Sequence, residues 1–128
     1  MDEADDQLLG QISEAIQKNK MVGVIDIHHL RMIRSGNFHH IDAHMVVPEF
    51  WSVEQAHALS GSFEKAVVHS YEFDGEFAFH MDPCQRKYCT FCVVEPCPVR
   101  RKKFLGEHKL TSSHLKSGPF CTEIPDDR

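Results

Sequence analysis

Leu8, Leu9, Ile12, Ala15 and Ile16 recur between polar residues at a spacing that places them on one helical stripe, so roughly Ala4 to Asn19 reads as an amphipathic helix. The pattern then changes period. Val22 to Arg34 is rich in Val and Ile, Ser35-Gly36-Asn37 is a turn signal, and Phe38 to Val47 alternates until Pro48 ends it, which predicts two strands joined as a hairpin. Ser52 and Gln55 have capping-box spacing, in which a hydroxyl and an amide each satisfy an otherwise orphaned backbone N–H, and so predict the start of a second helix. Ala56, Leu59, Ser60, Phe63, Ala66 and Val67 carry its small-to-apolar face to about Ser70, and Phe77-Ala78-Phe79-His80-Met81 predicts a third strand after an Asp74-Gly75 turn. The order is αββαβ. It predicts an α+β sandwich, with helices on one face of a three-stranded sheet and the other face free.

Because strand side chains alternate, parity assigns residues to those two faces. Ile41, Ala43, Met45 and Val47 form an unbroken apolar set, so His40, Asp42 and His44 point the other way. Phe77, Phe79 and Met81 likewise oppose Ala78, His80 and Asp82, and Ile25 with Ile27 puts His28 opposite the core. His28, His44, His80 and Asp82 are therefore expected on one uncovered face, an imidazole and carboxylate set that suits a borderline metal such as Zn2+. His57, one turn into the second helix, cannot share that face by parity. It would have to join from a neighbouring subunit or cap the sheet's edge. His29, His39, His40 and His69 read as solvated or core-satisfied side chains, and the pattern around His108 and His114 assigns them no role.

From Cys84 onward periodicity disappears, and Pro96, Pro98, Pro119 and Pro125 punctuate an irregular tail. A boundary is thus expected between an αββαβ domain, residues 1–83, and a Cys-rich tail, residues 84–128. Cys84, Cys89, Cys92 and Cys97 lie symmetrically about a Cys-x2-Cys centre, spacing suited to tetrahedral thiolate coordination of a structural Zn2+ that would staple the tail. The segment has too few apolar neighbours to bury them as free thiols. The rival is an iron–sulfur cluster, because Cys84-x4-Cys89-x2-Cys92 is also the leading half of a plant-type ferredoxin spacing with Cys121 far downstream. That alternative leaves Cys97 unemployed.

Composition narrows the setting. A chain of 128 residues with 41% hydrophobic residues has the size and make-up of one globular domain plus a tail; its ten His and five Cys are what depart from the ordinary. An odd cysteine count concentrated in one window points to metal binding in a reducing compartment rather than a disulfide framework. No apolar run is long enough to span a bilayer and the N-terminus is acidic, so a soluble, cytoplasmic chain is expected. The net charge of -5 argues against nucleic acid as a partner, and Arg100-Arg101-Lys102-Lys103 reads as a solvated basic run.

The stretch Val24 to Arg31, then Arg34-Ser35-Gly36, Ile41-Asp42-Ala43-His44, Ser52 to His57 and His80-Met81-Asp82-Pro83-Cys84 together resemble the C-terminal cytoplasmic domain of cation diffusion facilitator transporters over roughly residues 5 to 84. The resemblance implies a ferredoxin-like, metallochaperone-like αββαβ fold and a V-shaped homodimer that binds Zn2+ at its interface and so regulates transport. It implies that His28, His44, His80 and Asp82 are ligands, that Asp82 bridges two metals, and that His57 reaches across the dimer. His29 replaces an acidic residue common beside the first His, which could add a ligand or alter its surroundings. The six-helix membrane domain of that family is missing and a long tail is added, so a stand-alone relative is expected.

The function expected is a dimeric divalent-metal-binding protein for sensing, buffering or delivery. A zinc-dependent hydrolase is the second reading, without a His-Glu-x-x-His, nucleophile elbow or phosphate loop behind it. A module docking on a membrane metal transporter is the third. A non-enzymatic role is therefore expected.

Overall fold

In a computed structural model of the chain, residues 3–117 are described, with side chains from Asp6. Helix α1 (Glu3–Lys18) leads through a loop to strand β1 (Asp26–Ser35), which turns into β2 (Phe38–Val47). Helix α2 (Val53–Ser70) then crosses to β3 (Asp74–Pro83), and beyond it come a 3-10 helix (Arg86–Phe91) and a short helix α3 (Ser112–Lys116). The sheet order is β1-β2-β3. The hairpin is antiparallel, and the α2 crossover brings β3 parallel to the central β2.

Both expected helices bury the expected stripe. Leu8, Leu9, Ile12, Ala15 and Ile16 of α1 and Ala56, Ser60, Phe63 and Val67 of α2 are buried, most of them against Ile41, Ala43, Met45, Val47, Phe77 and Phe79 of the sheet. The capping box is formed: Gln55 N–H donates to Ser52 Oγ at 3.1 Å and Ser52 N–H donates to Gln55 Oε1 at 2.8 Å, an arrangement typically contributing about 1 kcal/mol.

Three local differences from the sequence pattern have physical reasons. Asp74-Gly75 begins β3 instead of turning, because β3 pairs along the whole of β2, from Phe38↔Asp74 to Val47↔Pro83. Gly75 is needed there because a Cβ would collide with the His39 carbonyl oxygen. Strand β1 starts at Asp26 rather than Val22, since Gly23, at φ +107°, bends the preceding loop beneath Trp51. A β-bulge separates the pairs His28↔His44 and Arg31↔Asp42. The extra residue inverts parity, so Leu30 and Met32 face the core beyond it while Arg31 shares the outer face with His28.

The tail differs most from expectation. Leu110 and Leu115 are fully buried in the main core, and Cys84, Tyr88, Phe91, Cys92 and Val94 form a second cluster with Ile25 and Val46. Val46 lies on the face opposite Met45 and Val47, so the tail covers one end of the sheet face expected to be free. Apolar neighbours for the thiols are thus present. The sequence pattern hides them because Ile25 and Val46 lie far upstream of the cysteines. Cys121 falls outside the described residues.

Candidate metal centre

The outer sheet face gathers imidazoles as strand parity requires. His28 and His44 are directly paired across β1 and β2, and His44 and His80 across β2 and β3. Ring centroids are 5.8 Å apart for His28 and His44, which lie nearly parallel, and 5.4 Å for His44 and His80. Nδ1 of His44 lies 3.0 Å from Asp82 Oδ2. Ligand atoms of His28, His44 and Asp82 all lie within 4.8 Å of one another, close enough for one cation to draw into a coordination shell.

His28 is buried and held from behind. Its Nδ1 lies 3.0 Å from Oδ2 of Asp26, so in the neutral tautomer that donates to this carboxylate the lone pair is on Nε2, free to ligate. Burial alone would raise the pKa of Asp26. Hydrogen bonds from His108, His114 and His28, with the charge of His114, instead hold it well below the usual carboxylate range.

His29 takes the bulge position with φ 52°, a left-handed conformation uncommon for a residue with a side chain. Its N–H donates to Ser117 O at 2.8 Å, so the end of α3 holds the bulge in place. The distortion brings the His29 ring to 5.2 Å from His28 and 5.6 Å from His44. Parity reading misses this because parity assumes an unbroken strand.

The remaining candidates divide. His80 is exposed beside His44. His57 is exposed on α2, the helix that covers the opposite side of the sheet, and so is not brought to the group within one chain. His39 is buried with Nδ1 2.8 Å from the Tyr71 hydroxyl, its pKa lowered by burial and then by Arg34, and His40 pairs with Glu76 at 2.8 Å.

Cys84, Cys89, Cys92 and Cys97 line one small cavity of about 20 Å³ with Ile25, Tyr88, Arg86 and Arg100. All four are free thiols, the first three buried. Burial pushes the Cys84 thiol up, opposed by the Glu49 N–H, which donates to Cys84 Sγ at 3.4 Å, and by the nearby Arg86. Burial also pushes Cys92 up, opposed by a backbone hydrogen bond at Val94 and by Arg100. Arg100, expected as a solvated cation, turns inward instead. Its guanidinium donates to the carbonyls of Cys89, Lys102, Cys92 and Val94 at 2.9, 3.1, 2.6 and 3.2 Å. Buried Arg86 pairs with Glu49 at 2.9 Å and donates to Val99 O at 2.6 Å.

An α+β sandwich with imidazoles and a carboxylate converging on its outer sheet face defines a class of small ferredoxin-like metal-site domain. Residues 4–84 match the family model described as cation efflux protein, cytoplasmic domain, and the chain belongs to that family. Its fold is similar to that of the metal-bound C-terminal domain of the CzcD transporter from Thermotoga maritima (TM-score 0.56, 20% identity, covering 65% of this chain and 94% of that one). It is likewise similar to a Cys-to-Ser variant of the MamM CTD (TM-score 0.56, 23% identity, covering 65% of this chain and 100% of that one). No curated protein matches the sequence. Among the described residues, no helix is long and apolar enough to cross a membrane.

Proposed function

We propose that this chain is a cytoplasmic, homodimeric metal-binding regulatory module that takes up Zn2+ on its outer sheet face, for sensing or delivery to a membrane metal transporter. The reading rests on one observation: His28, His44 and Asp82 already present ligand atoms within 4.8 Å of one another. Neutral imidazoles and a carboxylate are a donor set suited to Zn2+, and the carboxylate behind His28 is the kind of support that raises a ligand's basicity. His80, beside His44, completes the set, and His57 is available to a partner copy because it is exposed on the far side of its own chain. The role is binding, without catalysis. A second Zn2+ held by Cys84, Cys89, Cys92 and Cys97 is supported by the one cavity those residues line, but no three of their sulfurs lie within 4.8 Å of one another, so ligation requires them to draw together.

Equilibrium dialysis followed by metal analysis tests the sheet site. His44→Ala with Asp82→Ala leaves the Asp26 to His28 contact in place and is expected to lower bound Zn2+ by one equivalent per chain. Unchanged stoichiometry overturns the sheet site. A visible charge-transfer band in the purified protein would replace zinc by iron–sulfur at the cysteines.

A further inference from the structure

Asp26 is completely buried, and the groups paired with it are imidazoles: His28 on Oδ2, His108 and His114 on Oδ1. A buried carboxylate must be compensated by protons or by a cation. Two histidines from the tail aim the same ring atom, Nε2, at the same carboxylate oxygen, and the ligand atoms of Asp26, His108 and His114 all lie within 4.8 Å of one another.

We infer that Asp26, His108 and His114 form a third divalent-cation site, of the Zn2+ class, which fastens the tail to the edge of the sheet. The donor set, two imidazole nitrogens and one carboxylate oxygen, leaves a position for water. Tetrahedral coordination at zinc bond lengths separates ligand atoms by about 3.3 Å. Asp26 Oδ1 stands 3.0 Å from His108 Nε2 and 2.5 Å from His114 Nε2, so admitting the ion needs an opening of about 0.3 Å at His108 and about 0.8 Å at His114. Such a movement falls on the tail, where His108 lies between elements and His114 on the five-residue α3. The two tail rings meet edge-on, 5.1 Å apart and 69° between planes, so their in-plane lone pairs can converge on a point.

The site does what spacing in the sequence assigned to the cysteines alone. His108 and His114 are 82 and 88 residues beyond Asp26, and a cation joining them closes a long loop that is otherwise ordered by Leu110 and Leu115 in the core, hydrogen bonds between Leu110 and the side chains of Ser13 and Gln17, the Phe91–His108 ring contact and the His29 N–H to Ser117 O bond. It is separate from the sheet site, sharing no ligand with it. Only the other oxygen of Asp26 touches His28.

The test uses Zn2+ alone on the full chain. His108→Gln with His114→Gln is expected to bind one equivalent fewer than the parent while retaining the equivalent removed by His44→Ala with Asp82→Ala, so each pair of substitutions reports on its own site. A second readout separates this site from the cysteines: in the His44→Ala, Asp82→Ala background, Zn2+ should slow amide hydrogen exchange across residues 105–117 at least tenfold, and should lose that effect when His108→Gln and His114→Gln are added with the cysteines intact. Stoichiometry unchanged by the histidine substitutions, or tail exchange unaffected by Zn2+, overturns the inference and leaves Asp26 compensated by protons on its imidazoles.

Discussion

Arg100→Gln should detach the thiol-lined loop from the domain without unfolding the sheet. Four carbonyls, those of Cys89, Cys92, Val94 and Lys102, accept from one half-buried guanidinium at 2.6 to 3.2 Å, and they flank the cavity lined by Cys84, Cys89, Cys92 and Cys97. A hydrogen bond to a charged donor contributes about 1.5 to 3 kcal/mol, and bonds sharing one donor are far from additive. Gln can replace one or two of the four at most. Taking about 3 kcal/mol for the loss, opening of the segment should become roughly 150-fold more frequent. Buried thiols react only when the segment opens. The assay is therefore the rate of Cys84, Cys89 and Cys92 modification by an aromatic disulfide in metal-free protein, with hydrogen exchange of α1, α2 and the strands as control. Faster thiol reaction with unchanged exchange in the sheet is expected. Thiols reacting no faster than in the parent would refute the assignment of Arg100 as the clamp, and uniform acceleration everywhere would refute the local character of the opening.

Gly23→Ala should destabilise the fold by about 1 to 3 kcal/mol, because φ +107° disfavours any side chain and the new Cβ would lie 2.5 Å from the Trp51 ring. Trp51 is the single tryptophan, so its fluorescence should shift along with the urea midpoint; an unchanged midpoint would contradict the packing. His39 gives a pH dependence of defined sign. Burial and then Arg34 lower its pKa from 6.5, so the unfolded chain takes up this proton more readily than the folded one. The stability associated with it is full above about pH 6.5 and declines as pH falls from there toward the folded pKa. In metal-free protein, His39→Phe should lose less stability than the parent between pH 7.5 and 5.5. An equal loss in both would sink the assignment.

What the sequence made legible follows interaction range. Alternation in Phe38 to Val47 and in Phe77 to Met81 is enforced by a sheet with one buried face, so His28, His44, His80 and Asp82 could be put on the outer face from pattern alone. The bulge could not, because one inserted residue leaves composition unchanged while reversing every later side chain of β1, and with it the placement of His29. Gly75 looked like a turn because glycine serves turns and close backbone approaches equally. Asp26 was hidden by its neighbours. It sits in an apolar run, Val24-Ile25-Asp26-Ile27, and its tail partners are more than eighty residues away. The cysteines were legible as a set, but the apolar lid supplied by Ile25 and Val46 was not.

These contacts close into a ring, and that limits how independent the sites can be. Asp82 is two residues from Cys84, which packs in the cluster containing Phe91. The Phe91 ring lies 3.9 Å from His108, His108 bonds Asp26, Asp26 bonds His28, and His28 stacks on His44, which returns to Asp82. Docking or releasing the tail makes or breaks the His108 and His114 bonds at Asp26 Oδ1, and so changes the charge balance of the carboxylate that holds His28 at Oδ2. Thermodynamic reciprocity then applies: whatever factor tail docking contributes to ligation at His28, ligation at His28 returns to tail docking. A tail attached only through the peptide bond at Pro83 would carry no such obligation. Asp26, a buried carboxylate unremarkable in the sequence, is what joins the sheet site to the thiol-lined loop.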